Sequence, residues 1–195
     1  MSQRLYRFDG TDYKLHYRDS QRQRCYDAET AADLCGHLLS GEEMSHVNEY
    51  VAKVAASCSW IFLSKQHRAK VVDHTKLEIA DGRGARCAKG WAWGISIPRR
   101  SRRAVVVLHE LAHVLAAGAA HHWPWANCFL RLVKEHLGAE AGNRLEEQFK
   151  LKGVRYQPPL TRRPMNPEAL ERLRARGHQL AAAAKARREQ PKESQ

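Results

Sequence analysis

His109-Glu110-Leu111-Ala112-His113 is the segment of this 195-residue chain best equipped to do chemistry. It reads H-E-x-x-H inside an apolar run, with Ala104-Val105-Val106-Val107-Leu108 before it and Val114-Leu115-Ala116-Ala117 after it. Two histidines four apart on a helix lie about 40° apart around the axis, so both can ligate one metal ion. The glutamate beside the first histidine can reach a water at that ion and act as general base. Three ionisable side chains on so apolar a helix are costly to bury unless they share a partner, and a divalent cation is such a partner. The spacing points to Zn2+ held by His109 and His113, with Glu110 as the base of a hydrolytic reaction.

Catalytic zinc takes three protein ligands and keeps one position for water. The third must come from outside the motif. His121 and His122 follow closely, where a turn past the helix end near Gly118 can fold one of them back. Adjacent residues in a turn point in different directions, so one of the pair is expected to reach the metal, and the residues alone leave open which. Glu135, Glu140 and Glu146 on later helices are the alternative third ligands.

The elements that must position these residues read as an α+β arrangement. Ala28, Ala31, Ala32, Cys35 and Leu38 or Leu39 recur at helical spacing and predict a helix over about 26–39, ended by Ser40-Gly41. A second helix is expected from a cap at Ser45, carrying Val47, Tyr50, Val51 and Val54. Trp60-Ile61-Phe62-Leu63 reads as a strand or a buried turn. Leu77 and Ile79 alternate with charged neighbours up to the turn signal Asp81-Gly82-Arg83-Gly84. Cys87, Lys89, Trp91 and Trp93 alternate with small residues, and Ile95-Ser96-Ile97 continues the alternation until Pro98 stops it. Ser101 is the expected cap of the metal helix. Helices over about 125–137 and 139–152 follow, then a proline-marked linker and a basic helix over 167–189.

The domain expected is therefore a basic N-terminal arm over 1–24, a metallohydrolase domain over 25–156, and a linker with a basic helical tail over 157–195. The fold expected is zincin-like: a small antiparallel or mixed sheet packed on the metal helix, with further C-terminal helices. In such an arrangement Ile95–Ile97 is either the edge strand that pairs with an extended peptide by β-addition or an ordinary strand packed in the sheet, and the residues leave both open.

Composition narrows the partners. The net charge of +12 attracts acidic molecules, nucleic acid foremost, through the surface and the tail. Five cysteines, odd in number and without a C-x-x-C pair, argue against a disulfide framework or a cysteine zinc site and for reduced thiols in the cytoplasm. No segment approaches the roughly 20 apolar residues that cross a bilayer, and the N-terminus has no apolar stretch like a signal peptide, so no membrane partner is expected.

Leu108-His109-Glu110-Leu111-Ala112-His113, followed by His121-His122-Trp123-Pro124-Trp125-Ala126, resembles the SprT-like metallohydrolases, whose pattern is H-E-[LV]-[AC]-H and then H-G-x-x-F. It most resembles a small metallohydrolase family of actinobacteria and their phages, and residues 18–29, Arg18 to Glu29, resemble that family's opening. The resemblance spans about 18–156. It implies zinc, hydrolysis, and His121 as the third ligand, with Trp125 at the family's aromatic position. His122 stands where the family has glycine, which puts the register of the third ligand in question. SprT-like relatives imply proteolysis of proteins on DNA.

Three functions fit these residues. The first is a zinc metallopeptidase cutting a protein or peptide substrate in the cytoplasm, with hydrolysis of another bond type close behind. The second is a basic nucleic-acid-binding protein with a structural metal. The third is a regulatory peptidase that cuts a repressor.

Overall fold

The computed structural model describes residues 19–158 except 38, 40–42 and 72, together with 171 and 176. The chain divides into two compact units, Met1–Pro158 and Pro159–Gln195. The N-terminal arm through residue 18 and the helix expected over 167–189 lie outside the described residues, apart from Glu171 and Arg176, which are helical.

The fold is α+β, with six α-helices and one small mixed sheet among the described residues. The helices are α1 (Arg22–Ala31), α2 (Met44–Ala55), α3 (Cys58–His67), α4 (Ala104–Leu115), α5 (Trp123–His136) and α6 (Ala139–Leu151). The strands are β1 (Glu78–Asp81), β2 (Lys89–Trp91) and β3 (Gly94–Ile97), in spatial order β1-β3-β2. β1 runs parallel to β3, with Ile79 opposite Ile95, and β2 runs antiparallel to β3, with Gly90 opposite Ile95.

The apolar run that carries the motif explains the architecture. An α-helix hydrophobic nearly all round must be covered on nearly all sides. In α4 only Val106 and His113 escape full burial. α5 packs on one side, β2 and β3 on another, and α2 and α3 complete the cover. Trp125, Phe129, Leu132 and Val133 form the buried face of α5, at the three- and four-residue spacing of one helix side. α6 covers α5 in turn through Leu145 and Phe149, and also meets α1.

Several elements differ from the sequence expectation. The first helix ends at Ala31 rather than near 39, because Asp33 takes a left-handed conformation (φ 49°) and a 3-10 turn, Leu34–Gly36, follows. The second begins at Met44, one residue before the expected cap Ser45. The run Trp60–Leu63 is helix, not strand. Ser57 caps it by accepting a hydrogen bond from the Trp60 amide at 3.2 Å, and Trp60, Leu63 and Ser64 then face inward at helical spacing. The metal helix starts at Ala104, since Arg99–Ser101 is a 3-10 turn and Ser101 is not its cap.

The alternation over 87–97 is a hairpin rather than one strand. The chain reverses at Ala92-Trp93, and Gly94 resumes it on β3. A Cβ on Gly94 would lie 2.6 Å from the Glu78 carbonyl oxygen, so the close approach of β1 and β3 requires glycine there. β3 is consequently the central strand, and Ile95 and Ile97 are fully buried. Ile95–Ile97 is not an edge. Among the described residues the outer strand on the side of the metal helix is β2. No disulfide joins Cys25, Cys58, Cys87 or Cys128, and among the described residues no helix is long and apolar enough to cross a membrane.

Candidate metal centre

α4 places His109 and His113 one turn apart, and the loop after it delivers the third histidine. Gly118 and Ala120 both take left-handed conformations (φ 83° and 47°), which turn the chain back after the helix ends at Leu115. His121 then lies against the helix, and the His122 backbone begins α5. One ring nitrogen from each of His109, His113 and His121 lies within 4.8 Å of the others. His109 and His121 are buried and His113 is partly so. This group could hold a metal ion. Glu135, Glu140 and Glu146, the other candidate ligands, are engaged elsewhere: Glu135 accepts from the Ser59 amide, Glu140 pairs with Arg144, and Glu146 with Lys134, Lys150 and Tyr156.

Each of the two buried histidines is held from behind by a carboxylate. Glu29 Oε1 lies 2.9 Å from His109 Nδ1, and Asp19 Oδ2 lies 2.7 Å from His121 Nδ1. A carboxylate there accepts the Nδ1 hydrogen and turns the Nε2 lone pair toward the group's centre. The two Nε2 atoms lie 3.4 Å apart. Two nitrogens bound tetrahedrally to zinc at 2.0–2.1 Å stand roughly 3.3–3.4 Å apart, so this pair has the spacing of two zinc ligands. Facing lone pairs at that separation need either a shared proton or a cation between them.

The electrostatics agree with that choice. Burial works against charge on His109, but Glu29 outweighs it and raises the pKa of this histidine. His113 is pushed down to about 2, first by burial and then by the neighbouring His109 and His121. Burial also lowers His121, against the opposing hydrogen bond from Asp19. Neutral imidazoles are the form that ligates a metal.

Glu110 lies on the same helix, close enough to His109 and Tyr26 for its charge to act on both, and it also meets Gly90 of β2. It is buried, and burial raises its pKa, while His109 and a hydrogen bond from the Gly90 amide act in the opposite sense. β2 therefore lies directly on the motif. A Cβ built on Gly90 would fall 2.4 Å from the Glu110 carbonyl oxygen and 2.9 Å from His113 Cβ. Gly90→Ala must push the strand off the helix, and overpacking of this kind costs about 1–3 kcal/mol. We expect that variant to melt lower and to bind metal more weakly, read by calorimetry and metal titration. An unchanged melting temperature would show that β2 is free to shift.

The floor of the site is aromatic. Trp125 is fully buried, with its ring 4.6–5.4 Å from those of His109, His113 and His121, and its indole N–H donates to the His109 carbonyl at 3.3 Å. Tyr26 stacks on His109 from the solvent side, with ring centroids 5.6 Å apart. The loop itself is pinned by Gln21, whose side-chain amide donates to the His121 carbonyl at 2.6 Å and to the Arg155 carbonyl, and accepts from the Arg155 amide.

The structure brings His109, His113 and His121 together in one group and places Glu110 on the same helix. Asp19, Gln21, Tyr26, Glu29 and Gly90 were not singled out. α1 starts at Arg22, inside the segment expected to be a basic N-terminal arm over 1–24, and Asp19 and Gln21 lie in that segment as well. A signal did exist: Arg22, Cys25, Tyr26 and Glu29 share one helix face, and buried ligating histidines require acceptors for their second nitrogens. Asp19→Asn and Glu29→Gln are each expected to weaken metal binding about 10–100-fold while leaving the helices formed. Competition against a chromophoric chelator measures this, and unchanged affinity in both would deny the carboxylates any part in orienting the ligands.

Compared with protein-family models, curated proteins and solved structures, the chain finds no match.

Proposed function

We propose that this protein is a cytoplasmic zinc-dependent metallohydrolase, most specifically a metallopeptidase of zincin-like build with the SprT-like pattern. One observation carries the reading. Three histidines converge on one point, two of them oriented by carboxylates, and the glutamate of the same helix lies buried beside them.

A bound zinc ion would supply a Lewis acid that polarises a carbonyl and acidifies a water. His109, His113 and His121 would hold it. Glu110 takes the proton of the attacking water on its carboxylate and passes it to the leaving amine nitrogen. Burial raises its pKa, and a carboxylate shifted in that direction is a stronger base than one in water. Gly90 fixes the carboxylate through its amide. Among the described residues β2 is the outer strand of the sheet on the side of the metal helix, which makes it the strand for an extended peptide to pair with beside the same residues.

A purely structural metal would favour a closed four-ligand site. Among the described residues the group has three candidate ligands, which supports an open position and hence catalysis. Protein purified without chelator is expected to carry about one zinc per chain and to cleave casein or histone, with cleavage lost on chelation and restored by zinc. Absence of any copurifying metal would sink the enzyme reading, and metal without cleavage of any substrate tried would favour the structural one.

A further inference from the structure

A second site lies away from the histidines. A cavity of about 900 Å3 opens between the loop after β1, the segment after β3 and the start of α2. Five arginines line it, Arg83, Arg86, Arg99, Arg100 and Arg102, against two carboxylates, Asp81 and Glu43. Among the described residues five guanidinium groups and two carboxylates line the cavity, a local excess of positive charge within a chain already at +12.

The arginines are arranged, not merely crowded. Asp81 holds Arg102 at 2.8 Å and Arg83 at 3.1 Å, one on each side. Arg102 is almost wholly buried, its side chain 7% exposed, whereas Arg83, Arg86, Arg99 and Arg100 are exposed at the rim. The Arg100 guanidinium donates to the backbone carbonyls of Ala85 and Arg86, which ties the two loops together. Guanidinium groups held this way lose less side-chain entropy on meeting a ligand and present paired donors that match phosphate oxygens.

What the cavity lacks limits the ligand further. Among the described residues no aromatic side chain lines it, so none of them gives a base a platform to stack on. We infer that this arginine-lined cavity binds the phosphate backbone of a nucleic acid and does not read its bases. Duplex carries about one charge per 1.7 Å of axis, twice that of a single strand, so without stacking the duplex is the better ligand.

The test uses the full chain and labelled oligonucleotides, with affinity followed by anisotropy over a salt series. Two duplexes of unrelated sequence should bind equally, and a thymidine single strand no more tightly than either. The triple variant Arg83→Gln, Arg86→Gln, Arg99→Gln should lose about tenfold or more in affinity, and its salt slope should fall by roughly two to three. Lys53→Gln, Lys65→Gln, Lys152→Gln removes the same charge from other exposed positions and should leave the slope unchanged. Should the triple cavity variant fail to fold by circular dichroism, Arg86→Gln alone should lower the slope by about one. Equal losses in both triple variants would overturn the proposal, because binding would then follow overall charge. Tighter binding of the single strand would overturn it too. Inorganic triphosphate separates a free phosphate from a backbone: displacement of duplex at equimolar triphosphate would make this a small-molecule site and reject nucleic acid.

Discussion

Glu110→Gln is expected to keep its metal and its fold while hydrolysis falls by at least about two to four orders of magnitude. The amide has the shape of the carboxylate, so its oxygen can still accept the hydrogen bond from the Gly90 amide. What it cannot do is accept a proton. Stability should hold or rise slightly, because Glu110 is only 7% exposed and burial disfavours its charge. The experiment therefore has two readouts that separate roles. Metal content and melting temperature report on the scaffold, and turnover of casein reports on proton transfer. Wild-type turnover in the variant would remove Glu110 from the chemistry. Loss of the metal would instead make it a structural partner of the site. The expected result for Glu110→Gln, metal and fold kept with turnover lost, differs from that for Gly90→Ala, which disturbs the packing and leaves the proton acceptor in place.

The motif was legible because its signal is local. Helical periodicity sets His109 and His113 on one side, and the apolar flanks make α4 a core helix whatever surrounds it. The third ligand depended on a turn, and the sequence carried only half of that information. Gly118 marks the helix end, but Ala120 in a left-handed conformation is not something its residue type reveals. For the carboxylates behind the histidines, local spacing reaches only as far as putting Glu29 on one helix face with Arg22, Cys25 and Tyr26, and it does not say which ring each carboxylate meets. Asp19 meets His121 across 102 positions and Glu29 meets His109 across 80, and such pairings are fixed by how α1 docks. The sheet failed for a different reason. Alternation reports which residues share a face, but not where a strand reverses, so the hairpin at Ala92-Trp93 read as one strand. The edge reading of Ile95–Ile97 consequently sat one strand too far inward. A similar ambiguity hid α3, whose short apolar run suits strand and helix alike until Ser57 is seen to cap it.

His121→Ala should lose zinc at least as severely as His113→Ala, and His122→Ala should retain most of it. Sequence resemblance left these two positions in question, since His122 stands where a glycine was expected. The geometry ranks them. His121 Nε2 lies 3.4 Å from His109 Nε2, its Nδ1 is held by Asp19, and its carbonyl is held by Gln21. Three separate contacts thus orient one ring, and removing the ring leaves two histidines and an ordered but incomplete donor set. Second-nitrogen partners alone are worth about 10–100-fold in affinity, so deleting a ligand itself should cost more than about 100-fold. His122 has a different task. Its amide donates to the Ala119 carbonyl and its own carbonyl accepts from the Ala126 amide, both at 3.0 Å, which joins the loop to α5 through backbone that alanine also provides. The variants should therefore also differ in how far metal stabilises them. Zinc should raise the melting temperature of His122→Ala nearly as much as that of the parent chain, and that of His121→Ala hardly at all, because a ligand stabilises only the fold that binds it. The reverse ranking in a zinc titration would move the third ligand to His122 and require the loop over 116–122 to be rebuilt by one residue.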